Sequence, residues 1–308
     1  NQSVDSYKEA LSIMQSIEDY DESSKIMNKL GNVYRKMGKY EEALVVLLKA
    51  KDIKNEIKDF QNLGYTLLEI SSAYRWQGNY EMASKYNLES IKIAEDYNMK
   101  KLLANNLYHQ SLMLINRNNY KEAKIIIKKA ISISKELDFM SNAAKYLDCL
   151  GIILRHERKL DESIKVVNEA LAISKLIDDK HGLRKYLNNK GLIYEELANF
   201  DKAINIYKEC LSIAIEMDEK RAICVSYCNI GCVLDYQGSW DESFKYFKRA
   251  YQLAKKIGYK AGIGGYGNNL SQILIKKGDC DKAIPLLKSS LKLLEELEAV
   301  DCTSCLIA

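Results

Sequence analysis

The sequence holds one proline among 308 residues, three histidines, and no apolar run approaching the 18 or more residues of a membrane span. It also lacks an excess of either charge. Its 46 basic and 42 acidic residues leave a net +4, far from the basic footprint of a nucleic-acid-binding protein, so no nucleic-acid or membrane partner is expected. Asn1 to Tyr7 lack the apolar core of a signal peptide. The three histidines, His109, His156 and His181, have no Ser, Cys or Asp partner in a recognisable catalytic arrangement, which argues against an enzyme and offers no cofactor site. Eight cysteines are present, but three share one helical stripe and the chain is too large to need staples. Reduced thiols and a cytoplasmic location follow as expectations. Asn1 is not an initiator methionine and the first helical pattern begins at once, which suggests a fragment of a longer protein.

What the chain does have is a period. Three small positions return every 40 residues without insertion or deletion. The first is Gly31, Ser71, Ser111, Gly151, Gly191, Gly231 and Ser271; the second is Ala43, Ala83, Ala123, Ser163, Ala203, Ser243 and Ala283; the third is Ala50, Ser90, Ala130, Ala170, Cys210, Ala250 and Ser290. Small side chains let two helices approach closely, so these places mark where each helical hairpin closes. Leu30 and Tyr34, then Ala43, Leu47, Ala50 and Ile53, keep helical spacing, giving two amphipathic helices per repeat. Gly38, Gly78, Asn118, Gly238 and Gly278 sit where the first helix must end and accept a left-handed conformation; Arg158 and Ala198 are departures. Acidic residues such as Glu41, Glu81 and Asp161 suit the start of the second helix. Pro285 lies near the start of the last one, where proline costs little.

The pattern Leu30-Gly31-x-x-Tyr34-x-x-x-Gly38-x-Tyr40-x-x-Ala43, with Ala50 beyond, resembles the tetratricopeptide repeat. The 40-residue period is similar to the variant of LGN/Pins adaptors, kinesin light chains and Rap-type peptide receptors. The resemblance implies an all-α, right-handed α-solenoid of helix-turn-helix repeats. Residues 1–23 read as the second helix of a truncated repeat, 24–298 as seven repeats starting near 24, 64, 104, 144, 184, 224 and 264, and 299–308 as a tail.

The resemblance also implies a ligand on the inner face of the first helices. Asn189, Asn229 and Asn269 share one inner position in the last three repeats, similar to the asparagine ladder of kinesin light chains and Rap-type receptors. A carboxamide can pair with both N–H and C=O of a peptide unit. Helices about 8 to 10 Å apart would set successive amides roughly three residues apart along an extended ligand. A tolerated polar residue in a lysine- and asparagine-rich chain is the alternative. Upstream the equivalents are Lys29, Glu69, His109 and Cys149. Charge on this face is uneven: Lys25, Lys29, Arg35, Lys36, Arg75, Lys145, Arg155 and Lys185 come early, Glu195, Glu196 and Asp235 late, favouring a segment acidic toward the amino-terminal end. A solvated mixed face is the rival reading. Trp76, Tyr108 and Tyr236 fall on inner positions and offer apolar anchors, whereas Trp240 replaces a turn aromatic and reads as core. His109 and His156 line the groove as polar residues or as pH-sensitive ones.

Three further patterns carry less. Cys224, Cys228 and Cys232 share one stripe but lack the fourth ligand and the short-range pair of a zinc site, so a small apolar patch is expected. Gly262 to Gly267, G-I-G-G-Y-G, matches a dinucleotide fingerprint literally but joins two helices in this reading, a flexible or closely packed joint before the last repeat. Cys305-Leu306-Ile307-Ala308 fits a prenylation box without a polybasic run, and reads as a frayed end. The expected function is binding of a protein or peptide segment, as an adaptor or the sensory region of a larger signalling protein. The alternatives are a Rap-type signalling-peptide receptor, or a regulatory fragment of an ATPase or cyclase.

Overall fold

The computed structural model describes residues 2–298, which form fifteen α-helices and no strand. In chain order these are α1 (Gln2–Ser16), α2 (Tyr20–Lys36), α3 (Tyr40–Glu56), α4 (Phe60–Trp76), α5 (Tyr80–Asp96), α6 (Lys100–Asn116), α7 (Tyr120–Glu136), α8 (Met140–His156), α9 (Leu160–Leu176), α10 (Lys180–Glu196), α11 (Phe200–Glu216), α12 (Lys220–Tyr236), α13 (Trp240–Lys256), α14 (Lys260–Lys276) and α15 (Cys280–Glu298). The tail and its Cys305-Leu306-Ile307-Ala308 box lie outside the described residues. The even-numbered helices lead each repeat and begin four residues ahead of the nominal starts at 24, 64 and 104. No described helix is long and apolar enough to cross a membrane.

One backbone device repeats at every linker. A single residue with positive φ ends each helix, from Glu18 through Gly38 and Lys58 to Gly278. At the end of α2, the Gly38 N–H donates to the Arg35 carbonyl at 3.0 Å and the Lys39 N–H to that of Tyr34 at 2.9 Å. This pair of bonds closes the last turn and satisfies two carbonyls that the helix leaves open. Glycine reaches this conformation without strain and Asn or Asp tolerates it. Arg158 and Ala198, the two departures in the sequence, are nevertheless held there at φ 60° and 54°. The turn is set by packing on either side of it, and the residue conforms. The next helix is often capped: the carboxylates of Asp19, Asp59 and Asp179 and the amide oxygens of Asn79, Asn119 and Asn199 accept a backbone N–H three residues on.

The helices group into two compact units, residues 1–149 and residues 150 onward, with the division inside α8. Within each, consecutive helices pack on one another, and leading helices also touch directly: α2 with α4, α4 with α6, α12 with α14. All 21 small positions are buried. A Cβ added to Gly31 would meet the Leu47 side chain at 2.5 Å, one at Gly151 would meet Val167 at 2.5 Å, and one at Gly191 the Tyr207 ring at 2.4 Å. Where serine stands instead, or faces such a glycine across the hairpin, its hydroxyl bonds a carbonyl of the opposite helix: Ser71 to Ala83, Ser163 to Gly151 and Ser243 to Gly231, each within 2.8 Å. The space left by glycine is filled by Leu47, Tyr207 and Phe247, which are among the most buried side chains.

Two sequence expectations are corrected. Gly262 to Gly267 is no joint, because it lies inside α14. Helix-helix contact overrides the poor helix propensity of glycine: added Cβ atoms at Gly264 and Gly267 would meet Leu294 at 2.8 Å and the Ser290 hydroxyl at 2.2 Å, while Gly265 faces open space. Trp240 is not core but 42% exposed, since as the first residue of α13 it precedes the stripe that packs.

One buried residue breaks the register. Lys54 on α3 is fully buried where the next five repeats carry Ala94, Ser134, Ser174, Ala214 and Ala254 and the last carries Leu294. Its ammonium donates to the Thr66 hydroxyl at 2.8 Å, which also accepts from Asn28 at 2.9 Å and donates to the Asn62 carbonyl at 3.0 Å. Burial pushes the Lys54 pKa down to about 8.

Three outcomes follow. Ala198→Gly should raise stability by about 1 kcal/mol by relieving the left-handed alanine, read as a higher urea midpoint at constant slope. Gly265→Ala should stabilise by about 1 kcal/mol through helix propensity while Gly267→Ala destabilises by about 1 to 3 kcal/mol through overpacking, so equal effects would refute this account of α14. For Lys54 the folded pKa lies below the unfolded value near 10.5, so its charging cost is complete below pH 8, shrinks as pH rises, and vanishes above 10.5. Lys54→Met should therefore stabilise at pH 7 by a few kcal/mol, on the order set by that shift, with the gain mostly gone at pH 10 in paired urea titrations.

Candidate functional site

Side chains on the leading helices that are not consumed by hairpin packing form a face in each unit. In the first unit, α2 contributes Arg35, whose Nε donates to Glu69 of α4 at 3.2 Å; the same carboxylate accepts from Asn32 at 3.4 Å. Six residues further along α4, the Arg75 guanidinium lies over the Trp76 ring, 4.8 Å from its centroid. The Arg75 Nε is shielded from solvent and bonded to nothing, and no carboxylate of the described residues pairs with this side chain. Burial pulls its pKa down, and the positive charge of Arg35 acts in the same direction.

From α6 and the first part of α8 come Tyr108, His109 and Lys145. The Lys145 ammonium sits 4.1 Å from the Tyr108 ring centroid, and that ring meets His109 edge-on at 5.5 Å and Tyr146 at 5.3 Å. The His109 Nδ1 is buried without a partner. Burial first, and then the charges of Arg75, Lys145 and Arg35, hold the imidazole well below its ordinary value. It is therefore neutral at pH 7, against the repulsion of three cations. Tyr108 is only 7% exposed, so it forms a base under Lys145 and leaves little surface for a partner; Trp76 is half-buried.

In the second unit Asn189, Asn229 and Asn269 are half-buried on α10, α12 and α14. Asn229 and Asn269 are each braced by the residue preceding the equivalent asparagine on the leading helix before: Asn229 Nδ2 donates to Asn188 Oδ1 at 2.8 Å, and Asn269 Nδ2 to the Cys228 sulfur at 3.4 Å. An amide has two N–H donors and two oxygen lone pairs, so the one bond made by Asn229 or Asn269 leaves most of that capacity unused. A related brace in the first unit, which the sequence did not announce, has Tyr146 and Asn142 donating to Asn105 Oδ1 at 2.9 and 2.8 Å.

Much of the charge asymmetry read from the sequence is neutralised by neighbours. Lys25 is held by Asp21 and Glu22, Arg35 by Glu69, Arg155 by Glu196 at 2.6 Å, and Asp235 by Lys276 at 2.6 Å. Glu195 accepts from the buried Tyr207 hydroxyl at 3.1 Å, and burial raises its carboxyl pKa. Lys29, Lys36 and Lys185 are exposed. Tyr236 is 63% exposed and stacks on Phe200, with ring centroids 6.3 Å apart.

The cysteine stripe divides. Cys224 points into the packing with Ala250, Ala254 and Tyr266, while Cys228 and Cys232 are half-buried on the face. The thiol hydrogen bond with Cys228, then burial, raise the Cys232 pKa, and burial pushes that of Cys224 up to about 11. Both effects oppose the thiolate that a metal requires. Among the described residues no group of three or more His, Cys, Asp or Glu side chains converges as a metal site.

No curated protein matches the sequence significantly. Solved structures do. The apo quorum sensor NprR from B. thuringiensis superposes with a TM-score of 0.73 at 13% identity, over 94% of this chain and 82% of that one. A Rap protein complexed with competence and sporulation factor gives 0.65 at 16% identity, over 90% and 78%. A signal transduction ATPase with numerous domains and a tetratricopeptide repeat sensor, from Pyrococcus horikoshii, gives 0.70 at 17% identity; this chain is covered to 94% but spans only 44% of that protein. These likenesses concern the fold. Family profiles described as tetratricopeptide repeat match residues 24–57, 104–137, 142–216 and 222–296, which is more than half of the sequence. Equal helical hairpins closed on small residues, and sequence profiles that recognise them along most of the chain, establish that this protein belongs to the tetratricopeptide-repeat family.

Proposed function

We propose that the chain is a binding module whose leading-helix faces hold a segment of a partner protein or a free peptide, and that it serves as an adaptor or as the sensory region of a larger signalling protein. The observation that carries this reading is the amide series. Asn229 and Asn269 recur in register on touching helices, half-exposed, each with its side-chain oxygen accepting no bond from the chain. Buried asparagines in a pure packing role are expected to be fully satisfied. Amides spaced by the helix-helix distance match the peptide units of an extended chain, and the intramolecular braces pre-orient them, which lowers the ordering cost of binding.

The remaining chemistry supports a segment with acidic residues over the first unit, where Arg75 lacks a counter-charge. Tyr236 supplies an exposed aromatic surface in the second. Nothing in these faces resembles a nucleophile with its base, so the reading is of binding without catalysis. Whether the ligand is a free peptide, as for a receptor, or part of a larger partner is decided by small-angle scattering: compaction on adding a short selected peptide identifies a receptor.

The test uses peptides selected from a display library on the immobilised protein. Asn229→Ala should weaken the selected peptide about fivefold, the worth of one net hydrogen bond, with the fold retained by circular dichroism. Asn62→Ala, outside the amide series, should leave affinity unchanged. Equal affinity of wild type and Asn229→Ala would remove the amide series from the function.

A further inference from the structure

We propose that Cys228 and Cys232 on α12 form a two-thiol site for monosubstituted trivalent arsenicals, which condense with both sulfurs and are held as a bridge along one face of the helix. The site lies in the second unit and does not depend on the binding role proposed above.

The geometry comes from the helix. Residues four apart lie one above the other, so both thiols stand on one stripe, and both are half-buried against the cluster of Phe247, Leu270 and Ile273. The Asn269 Nδ2 donates to the Cys228 sulfur at 3.4 Å, which fixes that sulfur on the side facing α14. Cys224 precedes Cys228 by the same spacing, but it is fully buried among Ala250, Ala254 and Tyr266. Of the two pairs that the stripe offers, only one is therefore open to solvent.

What such a pair can hold follows from its spacing and its protons. Cβ atoms four residues apart in a helix are about 5 to 6 Å from each other, whereas a disulfide needs roughly 3.5 to 4.5 Å, so oxidation would have to unwind a turn. A single soft atom between the sulfurs replaces one short bond by two longer ones and removes that demand. A divalent cation must expel a proton from each thiol, and the hydrogen bond with Cys228 and then burial hold Cys232 in its protonated form. An arsenical avoids this cost. Each As–O bond breaks as an As–S bond forms, the thiol protons leave with oxygen as water, and arsenic stays trivalent. No charge is created in a half-buried place. No third ligand among the described residues converges on the pair, so the remaining valence keeps its organic substituent, which suits the apolar cluster alongside.

The probe is phenylarsine oxide, which takes two thiols and releases one water. It is added to the folded full chain carrying Cys302→Ser and Cys305→Ser, which remove the two thiols beyond the described residues. Intact mass spectrometry reads the bound fraction in competition with a small dithiol. One equivalent should be captured, and affinity should change less than about twofold between pH 6.5 and 7.5, where an ion that displaces two protons gains about a hundredfold. Cys228→Ser and Cys232→Ser should each weaken capture at least about a hundredfold, since the second bond is no longer intramolecular. Cys232→Ala, which adds no hydroxyl to the face, should do the same and guards against misfolding of the serine variant. Cys224→Ser should leave capture unchanged, with the fold of every variant checked by circular dichroism. One equivalent should also protect Cys228 and Cys232 from alkylation while the exposed Cys280 still reacts.

Full capture by the Cys228 or Cys232 variants, a loss in Cys224→Ser equal to that in Cys232→Ser, or capture only after unfolding in urea would overturn the proposal. So would an affinity that climbs with pH, which marks a site that works through thiolates.

Discussion

The close approach of two helices within each hairpin is the contact on which the rest of the molecule depends. It requires a small residue at three fixed places and a large one opposite, and the pairings of Gly191 with Tyr207 and Gly231 with Phe247 show how tightly the two are matched. Because the space is filled to van der Waals contact, neither helix can slide without a clash or a void. Successive linkers must then be equal in length, and each linker of three residues needs its left-handed position. Arg158 and Ala198 accept that conformation because the packing around them leaves no other. Local strain of this size is carried by a hairpin whose burial is much larger.

Fixing the hairpin leaves the outward side of the leading helices unconstrained by size, and chemistry can vary there. The two units use that freedom differently. In the second, opposite charges on successive leading helices meet, as Arg155 does with Glu196 and Asp235 with Lys276, and the amides are braced by Asn188 and Cys228. Such a surface is electrically quiet and suited to holding a backbone. In the first, Arg75 stays without a carboxylate partner, and burial depresses the basicity of both Arg75 and His109.

The fold was legible in the sequence because its determinants are local and periodic. Every repeat spells out its small positions, most spell out the turn residue, and the count of repeats follows from arithmetic on residue numbers. Features that depend on which helix faces which were not legible. The G-I-G-G-Y-G run looked like a joint because glycine is a poor helix former, and only the nearness of Leu294 and Ser290 explains why α14 keeps it. Trp240 looked like core because it occupies an aromatic turn position, yet the first residue of a helix lies outside the packing stripe. The candidate residues themselves could be listed from register alone; their pairing could not. A list of cations gives no hint that Lys25, Arg35 and Arg155 are neutralised while Arg75 is not. The one visible clue to a buried anomaly was Lys54, a lysine where the next five repeats have alanine or serine.

That difference between paired and unpaired cations bears on how a repeat protein acquires selectivity. A backbone-binding amide series accepts many sequences, since every peptide unit offers the same donor and acceptor. Discrimination must come from sites that reject the wrong side chain, and a buried charge without its counter-ion does so more sharply than an apolar pocket, because a neutral ligand leaves it desolvated and unpaired. Arg75 is placed to act in that way. Its neighbour Arg35, satisfied by Glu69 within the fold, has nothing comparable to gain from a ligand. Selectivity in such an array is therefore set less by the number of charges on a face than by which of them the fold leaves without a partner.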